Sequence, residues 1–105
     1  MYKLAFFVPV GAAESVKEAI FATGAGRLGN YAACCFQTRG VGQFRPLAGA
    51  EPHIGHLNTL THVDEFKIEL ICHDELIHAA VAALKLAHPY EAPAYETWLL
   101  ADVDV

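Results

Sequence analysis

The alternation of apolar and charged residues is clearest in the middle of the chain. Phe66, Ile68, Leu70 and Cys72 recur at every second position, and Lys67 and Glu69 stand between them. A period of two predicts a strand with one face on a core and one face in water, and we place that strand at residues 59–72.

Two other segments have helical spacing instead. Residues 14–23 carry Val16, Ala19, Ile20 and Thr23 on one stripe, and a second helix after Asp74, its predicted N-cap, is lined by Leu76, Ala80, Ala83, Leu84 and Ala87.

The remaining apolar runs complete the order of elements. We predict strands at residues 3–9, 31–38 and 95–100, a loop at residues 48–55, and a short extra segment at residues 43–47 that is joined through Gly40-Val41-Gly42. Strand, helix, strand, strand, helix, strand predicts an α+β protein: a ferredoxin-like βαββαβ sandwich with an extra short β-hairpin. At 105 residues the chain is expected to form a single domain over 1–105.

Composition adds an expectation of self-association and excludes some partners. Hydrophobic residues make up 54% of the chain and charged residues only 18%, more apolar surface than so small an interior can hide. A formal charge of −5 without a basic stripe argues against nucleic acid and anionic membranes. Pro9 and Gly11 cut the apolar N-terminal run well below the length of a membrane span. Three cysteines form no disulfide framework, so we expect a reducing compartment, the cytoplasm.

The segment Gly24-Ala25-Gly26-Arg27-Leu28-Gly29 has the letters of a dinucleotide fingerprint in the wrong context. A phosphate-binding turn needs a strand before it and a helix after it, whereas here a helix precedes and a strand follows. A glycine C-cap and a tight crossing are the favoured interpretation.

Metal binding is a second hypothesis for the histidines of the loop. His53 and His56 are three residues apart and His62 follows, and neutral imidazole suits zinc, copper or nickel. The alternative is that these are ordinary polar residues of an exposed loop. Cys34 and Cys35 alternate along the predicted second strand, so one of them is expected to point into the core.

The connector His88-Pro89-Tyr90-Glu91-Ala92-Pro93-Ala94-Tyr95 cannot continue the second helix, because Pro89 ends it. An acid–base pair of His88 and Glu91 would make the protein a hydrolase. The favoured alternative is structural: the histidine suits a helix C-terminus and the glutamate accepts backbone N–H groups. A serine triad is not supported, because Ser15 is the only serine.

Several motifs together resemble a known domain: Gly29-Asn30-Tyr31, Cys34, Gly40-Val41-Gly42-Gln43-Phe44-Arg45-Pro46, Gly49, Pro52, Ile54-Gly55, and the connector at residues 88–95. They are similar to the domain inserted in YqfO-type proteins of the Nif-three-like family, here in a standalone form. The resemblance implies a CutA/PII-like ferredoxin fold and assembly as a trimer. That family's dinuclear metal site lies in flanking domains whose motifs are absent from this sequence, so the cyclohydrolase label is not carried over.

The leading functional hypothesis is a small cytoplasmic CutA/PII-like trimer that binds a small ligand, a metal ion or a partner protein at subunit clefts. We expect the ligand site near Tyr31, Phe44, His88 and Glu91. The alternatives are a divalent-metal-binding or metal-tolerance protein that uses His53, His56 and His62, and the hydrolase based on His88 and Glu91. No nucleic acid or membrane is expected as a partner; the sequence does not identify a cofactor, and a divalent metal is one candidate.

Overall fold

The computed structural model describes residues 1–103. Its helices and strands run in the order β1 (Tyr2–Pro9), α1 (Ala13–Phe21), β2 (Phe36–Phe44), β3 (Thr61–Cys72), α2 (Ile77–Ala87) and β4 (Tyr95–Leu99). Short 3-10 turns, Val10–Ala12 and Asp74–Leu76, lead into the two helices. The predicted domain, 1–105, includes two residues outside the described ones and its extent stays a prediction.

The four strands form one antiparallel sheet in the order β2-β3-β1-β4, and both helices pack on one face of it. Each βα unit therefore crosses over one strand, which is the ferredoxin-like arrangement. The predicted βαββαβ fold is confirmed.

The core lies between the helices and the two central strands. Alternate residues of β1 and β3 point toward the helices, and the apolar faces of the two helices pack against them. Side chains with no more than 3% exposure include Leu4, Phe6, Val8, Val16, Ile20, Ile68, Leu70, Cys72, Ala80 and Leu84.

The opposite side of the sheet has no helix, and we call it the open face. Its composition follows from the register, because paired residues of an antiparallel sheet point the same way. Glu69 pairs with Phe36, Lys67 with Thr38 and Phe7, and Glu65 with Gly40. The sequence alternation correctly predicted that β3 has a polar face.

The separate hairpin that we expected at residues 43–47 does not form, because β2 continues through Gly40 and Gly42 to Phe44. Both glycines are paired in register with β3, so they serve as strand residues and not as a turn. Residues 61–64 of β3 extend beyond β1 and pair only with β2. The two strands therefore project as an arm, made of residues 41–44 and 61–64, and the molecule measures 50 × 24 × 22 Å.

Two local predictions are wrong. Asp74 is not a helix N-cap: it lies in the 3-10 turn before α2 and forms an ion pair with the N-terminal amine. The second strand begins only at Phe36, so Cys34 and Cys35 belong to the preceding loop and neither is buried; the buried cysteine is Cys72.

The glycine-rich segment after α1 is a helix exit, as predicted. Gly24, Gly26 and Gly29 all have positive φ angles, which residues with a Cβ rarely adopt. Within the described residues, no helix has the length and apolar character needed to cross a membrane.

Candidate functional site: a cleft on the open face

A cleft of about 800 Å³ lies on the open face beside the β2–β3 arm. The sheet forms its floor, and two loops form its walls: residues 45–60, which connect β2 to β3, and the connector at residues 88–95. Most of the lining surface is apolar. The residues that matter most for its chemistry are Phe7, Phe44, His53, Glu65, Tyr90 and Glu91.

Glu65 occupies space that only a glycine leaves open. It is half-buried on β3, and its side chain lies over Gly42 of β2. A Cβ atom at position 42 would be 1.8 Å from a Glu65 carboxylate oxygen. Gly42 therefore determines where the carboxylate sits. Burial raises the pKa of Glu65 above its ordinary value, although a contact with Tyr90 opposes the shift.

Tyr90 stands beside Glu65 in the wall of the cleft. Burial, together with the negative charge of Glu65, raises the pKa of the Tyr90 phenol to about 12. The hydroxyl is close enough to Glu65 for each group to affect the other's pKa, yet within the described part of the chain it makes no hydrogen bond of normal geometry. The Tyr90 ring contacts Phe44 at 6.0 Å between centroids and His53 at 6.4 Å. These rings give the cleft an aromatic wall with a polar end.

Glu91 joins the two loops that border the cleft. Its carboxylate accepts a hydrogen bond of 2.9 Å from the backbone N–H of Glu51, forty residues earlier in the chain. The structural interpretation of Glu91 is therefore correct in kind, but the N–H group belongs to the facing loop and not to a sequence neighbour. This bond positions residues 45–60 against the connector.

His88 lies behind the wall of the cleft and is 6% exposed. Its Nδ1 accepts the Tyr90 N–H at 3.1 Å, which leaves the proton on Nε2 to be donated to the Phe7 carbonyl oxygen at 2.7 Å. Burial lowers the pKa of His88, which favours this neutral form. The ring thus connects the end of α2, the connector and β1.

The hydrogen bonds of His88 and Glu91 remove the basis of the hydrolase hypothesis. An acid–base pair needs two groups that face each other in a pocket. Both ring nitrogens of His88 are bound to backbone groups, and Glu91 is bound to Glu51. The two side chains form no pair.

The four residues predicted for ligand binding have different positions. Phe44 and Glu91 line the cleft, and His88 supports it from behind through Tyr90, with 4.9 Å between ring centroids. Tyr31 is not part of the lining: it forms an isolated bridge with Leu28 in the loop before β2 and is 75% exposed.

The three histidines predicted to bind a metal are placed separately. His53 lines the cleft next to Tyr90, whereas His62 lies on the arm, where its Nε2 is 3.0 Å from the Gln43 amide oxygen. His56 belongs to the 45–60 loop, where its carbonyl accepts the Thr59 N–H. Among residues 1–103, no group of three or more histidine, cysteine or acidic side chains could hold a metal ion.

The sequence pattern did not identify Glu65 as a cleft residue, and it indicated Gly42 only as part of a connection and of the motif behind the family resemblance. The alternation along β3 predicts that the face carrying Glu65 is exposed to water, and the local sequence around Gly42 is typical of a turn. The only available signal was a glycine in an otherwise extended segment, which indicates a close approach of another group.

The geometry defines a ferredoxin-like domain with a cleft on its open face, and solved structures share this fold. CutA1 from Pyrococcus horikoshii matches 99% of this chain and 87% of its own with a TM-score of 0.70 at 16% identity. The periplasmic divalent cation tolerance protein CutA from Archaeoglobus fulgidus matches 98% and 87%, with a TM-score of 0.68 at 14% identity. At these identities the likeness concerns the fold alone.

Relatives with higher identity are longer proteins. A GTP cyclohydrolase 1 type 2 homolog from Halalkalibacterium halodurans is 43% identical over 102 residues, which are 97% of this chain and 27% of that protein. The Bacillus cereus protein related to NIF3 superposes with a TM-score of 0.82 at 38% identity over 96% of this chain and 26% of its own. The chain thus spans about a quarter of the length of the curated relatives it matches. No family model matches it.

Proposed function

We propose that this chain is a CutA-like binding module of the Nif-three-like family that holds a small organic molecule in the cleft on its open face. The observation that carries the proposal is the cleft itself. Its volume of about 800 Å³ is within the range of small-molecule sites, and a mainly apolar lining with a few convergent polar groups is typical of them. The relatives that share 36–44% of its sequence support the family.

The cyclohydrolase activity in the relatives' name is not extended to this chain, because it spans about a quarter of those proteins. Metal binding through His53, His56 and His62 also stays a prediction. The name of the Archaeoglobus fulgidus neighbour connects that protein to divalent cations. In this chain His53 and His56 lie in the 45–60 loop and His62 lies on the arm, and no group of three or more metal-binding side chains is found among residues 1–103.

A substitution at Gly42 tests the cleft. Gly42→Ala places a methyl group where the Glu65 carboxylate lies, so the carboxylate must leave its position in the cleft lining. We expect about fivefold weaker binding of aromatic fragments, measured by amide chemical-shift titration and reported by the Gly40 and Tyr90 resonances. The matched control is Gly11→Ala, because Gly11 does not line the cleft and a Cβ there meets nothing within 4 Å.

Stability should separate the two variants as well. Gly11→Ala, in the 3-10 turn before α1, is expected to stabilise the protein by about 0.4–1 kcal/mol, whereas Gly42→Ala gains less because Glu65 is displaced. Fragments that shift only amides of the helical face, or that bind the Gly42 variant as tightly as the parent protein, would contradict a site in this cleft.

We also propose that the protein is a homotrimer in a reducing compartment, with the open face and edge strands at the interfaces. Phe36 on edge strand β2 is 69% exposed and Trp98 on edge strand β4 is 42% exposed, and unpaired edges with apolar side chains favour association. A neighbouring subunit would then border a cleft that one protomer already forms.

Light scattering at micromolar concentration tests the assembly. We expect a mass about three times that of the 11.4 kDa protomer, because the apolar edges pair with one another. Phe36→Lys should shift the population toward monomer. Leu86→Lys is the control, since Leu86 is 90% exposed on the helical side. A monomeric parent protein would contradict the trimer.

A further inference from the structure

We infer that the cleft selects flat, largely apolar molecules that carry a protonated amine, and that the amine pairs with Glu65. This inference rests on the proposed function and adds the chemical class of the ligand. It is argued from three features: the charges that line the cleft, the position of Glu65, and the aromatic wall.

The cations that line the cleft already have anionic partners. A carboxylate of Asp64 is 3.5 Å from Arg39, and Glu69 lies 3.9 Å from Lys67. Glu69 also lies 3.5 Å from Lys3. Each cationic side chain of the lining thus has a carboxylate neighbour, which weakens its attraction for an anionic ligand.

The acids of the cleft are less well neutralised. In residues 1–103, no cationic group lies within ion-pair distance of Glu65 or Glu91. Glu91 is exposed and has a backbone N–H as its partner, whereas Glu65 is half-buried. The charge that is both unpaired and partly removed from water is therefore that of Glu65.

A ligand cation would relieve the cost of this arrangement. An unpaired carboxylate loses hydration when it is buried, and a nearby positive charge offsets the loss. The raised pKa of Glu65 reflects the same cost. A protonated amine on Glu65 would also bring a donor to the Tyr90 hydroxyl oxygen, a buried atom that makes no hydrogen bond of normal geometry within residues 1–103.

The aromatic wall determines which ligand shape fits beside the amine. Phe44 and His53 flank the Tyr90 ring with interplanar angles of 59° and 52°, and all three residues line the cleft. A flat ring packs against such a surface, and the negative faces of the rings attract a neighbouring cation. An anionic group at the same place would be repelled by the carboxylates of Glu65 and Glu91.

Three indole compounds of equal ring shape and different charge test the inference: tryptamine, indole and indole-3-acetate. Isothermal titration at pH 7.5 is expected to give tryptamine at least about tenfold tighter binding than indole-3-acetate, the ratio expected for one charge-assisted hydrogen bond. Glu65→Gln should weaken tryptamine about tenfold and leave indole unchanged. Glu96→Gln is the control, because Glu96 is an exposed acid of β4 that does not line the cleft.

The outcomes separate this inference from the proposed function. Equal binding of all three compounds with cleft amides shifted would overturn the amine class and leave the cleft as a site. Preference for indole-3-acetate, or a Glu65→Gln variant that binds tryptamine like the parent protein, would also overturn it. Failure of tryptamine to bind at millimolar concentration would overturn it too. The proposed function instead fails if the wider fragment titration finds no cleft binder or finds that the Gly42 variant binds as tightly as the parent protein.

Discussion

Replacing His88 with alanine is expected to lower the free energy of unfolding by about 2–4 kcal/mol. The substitution removes a buried ring and both of its hydrogen bonds, which leaves the Phe7 carbonyl and the Tyr90 N–H without partners in a place that water reaches poorly. Urea unfolding followed by circular dichroism measures the loss. His78→Ala is the control, because His78 is exposed within α2 and alanine favours helix.

The same ring gives the protein a defined acid sensitivity. Burial lowers the pKa of His88, so the folded state holds the neutral form and the unfolded state binds a proton more readily. The contribution of His88 is therefore complete above the unfolded pKa of about 6.5 and is lost as the pH falls through the lower, folded pKa. A His88 variant with the same pH dependence of stability as the parent protein between pH 7 and 5 would contradict this assignment.

Gly26→Ala is expected to lower the free energy of unfolding by about 3 kcal/mol. Gly26 has a φ of +80°, and a Cβ there would lie 2.7 Å from the Phe21 ring and 3.1 Å from the Cys34 carbonyl oxygen. The backbone at this residue cannot move away freely. Its N–H binds the Ile71 carbonyl at 2.8 Å and its carbonyl binds the Cys34 N–H at 2.8 Å.

Gly49→Ala separates the cost of a positive φ angle from the cost of the contacts with Phe21 and Cys34. Gly49 has a φ of +96° but nothing within 4 Å of a Cβ, so it should lose only the backbone term, about 1–2 kcal/mol. Thermal unfolding of both variants gives the comparison. Equal losses would show that the contacts of Gly26 with Phe21 and Cys34 contribute nothing.

The sequence was sufficient for the fold because its strongest periodic segments are the core elements. The alternation along β3 and the stripe along α2 correspond to buried Ile68, Leu70 and Leu84. The prediction from sequence was wrong where contacts between distant residues determine the local structure. Gly40 and Gly42 have the local character of a turn, yet their register with β3 makes them extended, and Asp74 is held by the N-terminus and not by a helix.

The site was only partly predictable for a related reason. Phe44 and Glu91 were identified because an aromatic ring and an acid beside prolines stand out in any sequence. Glu65 has no local signal, since its burial depends on the 45–60 loop covering one end of the open face and on Gly42 leaving room for it. That loop is held by a hydrogen bond between residues forty positions apart, which no local pattern indicates.

A crystal structure of the protein grown with tryptamine tests most directly whether the cleft on the open face binds an aromatic amine through Glu65. We expect the indole ring against Tyr90 and Phe44, with the amine nitrogen within hydrogen-bond distance of a Glu65 carboxylate oxygen. Tryptamine bound elsewhere, or a cleft filled by side chains of a neighbouring subunit while tryptamine binds in solution, would contradict it.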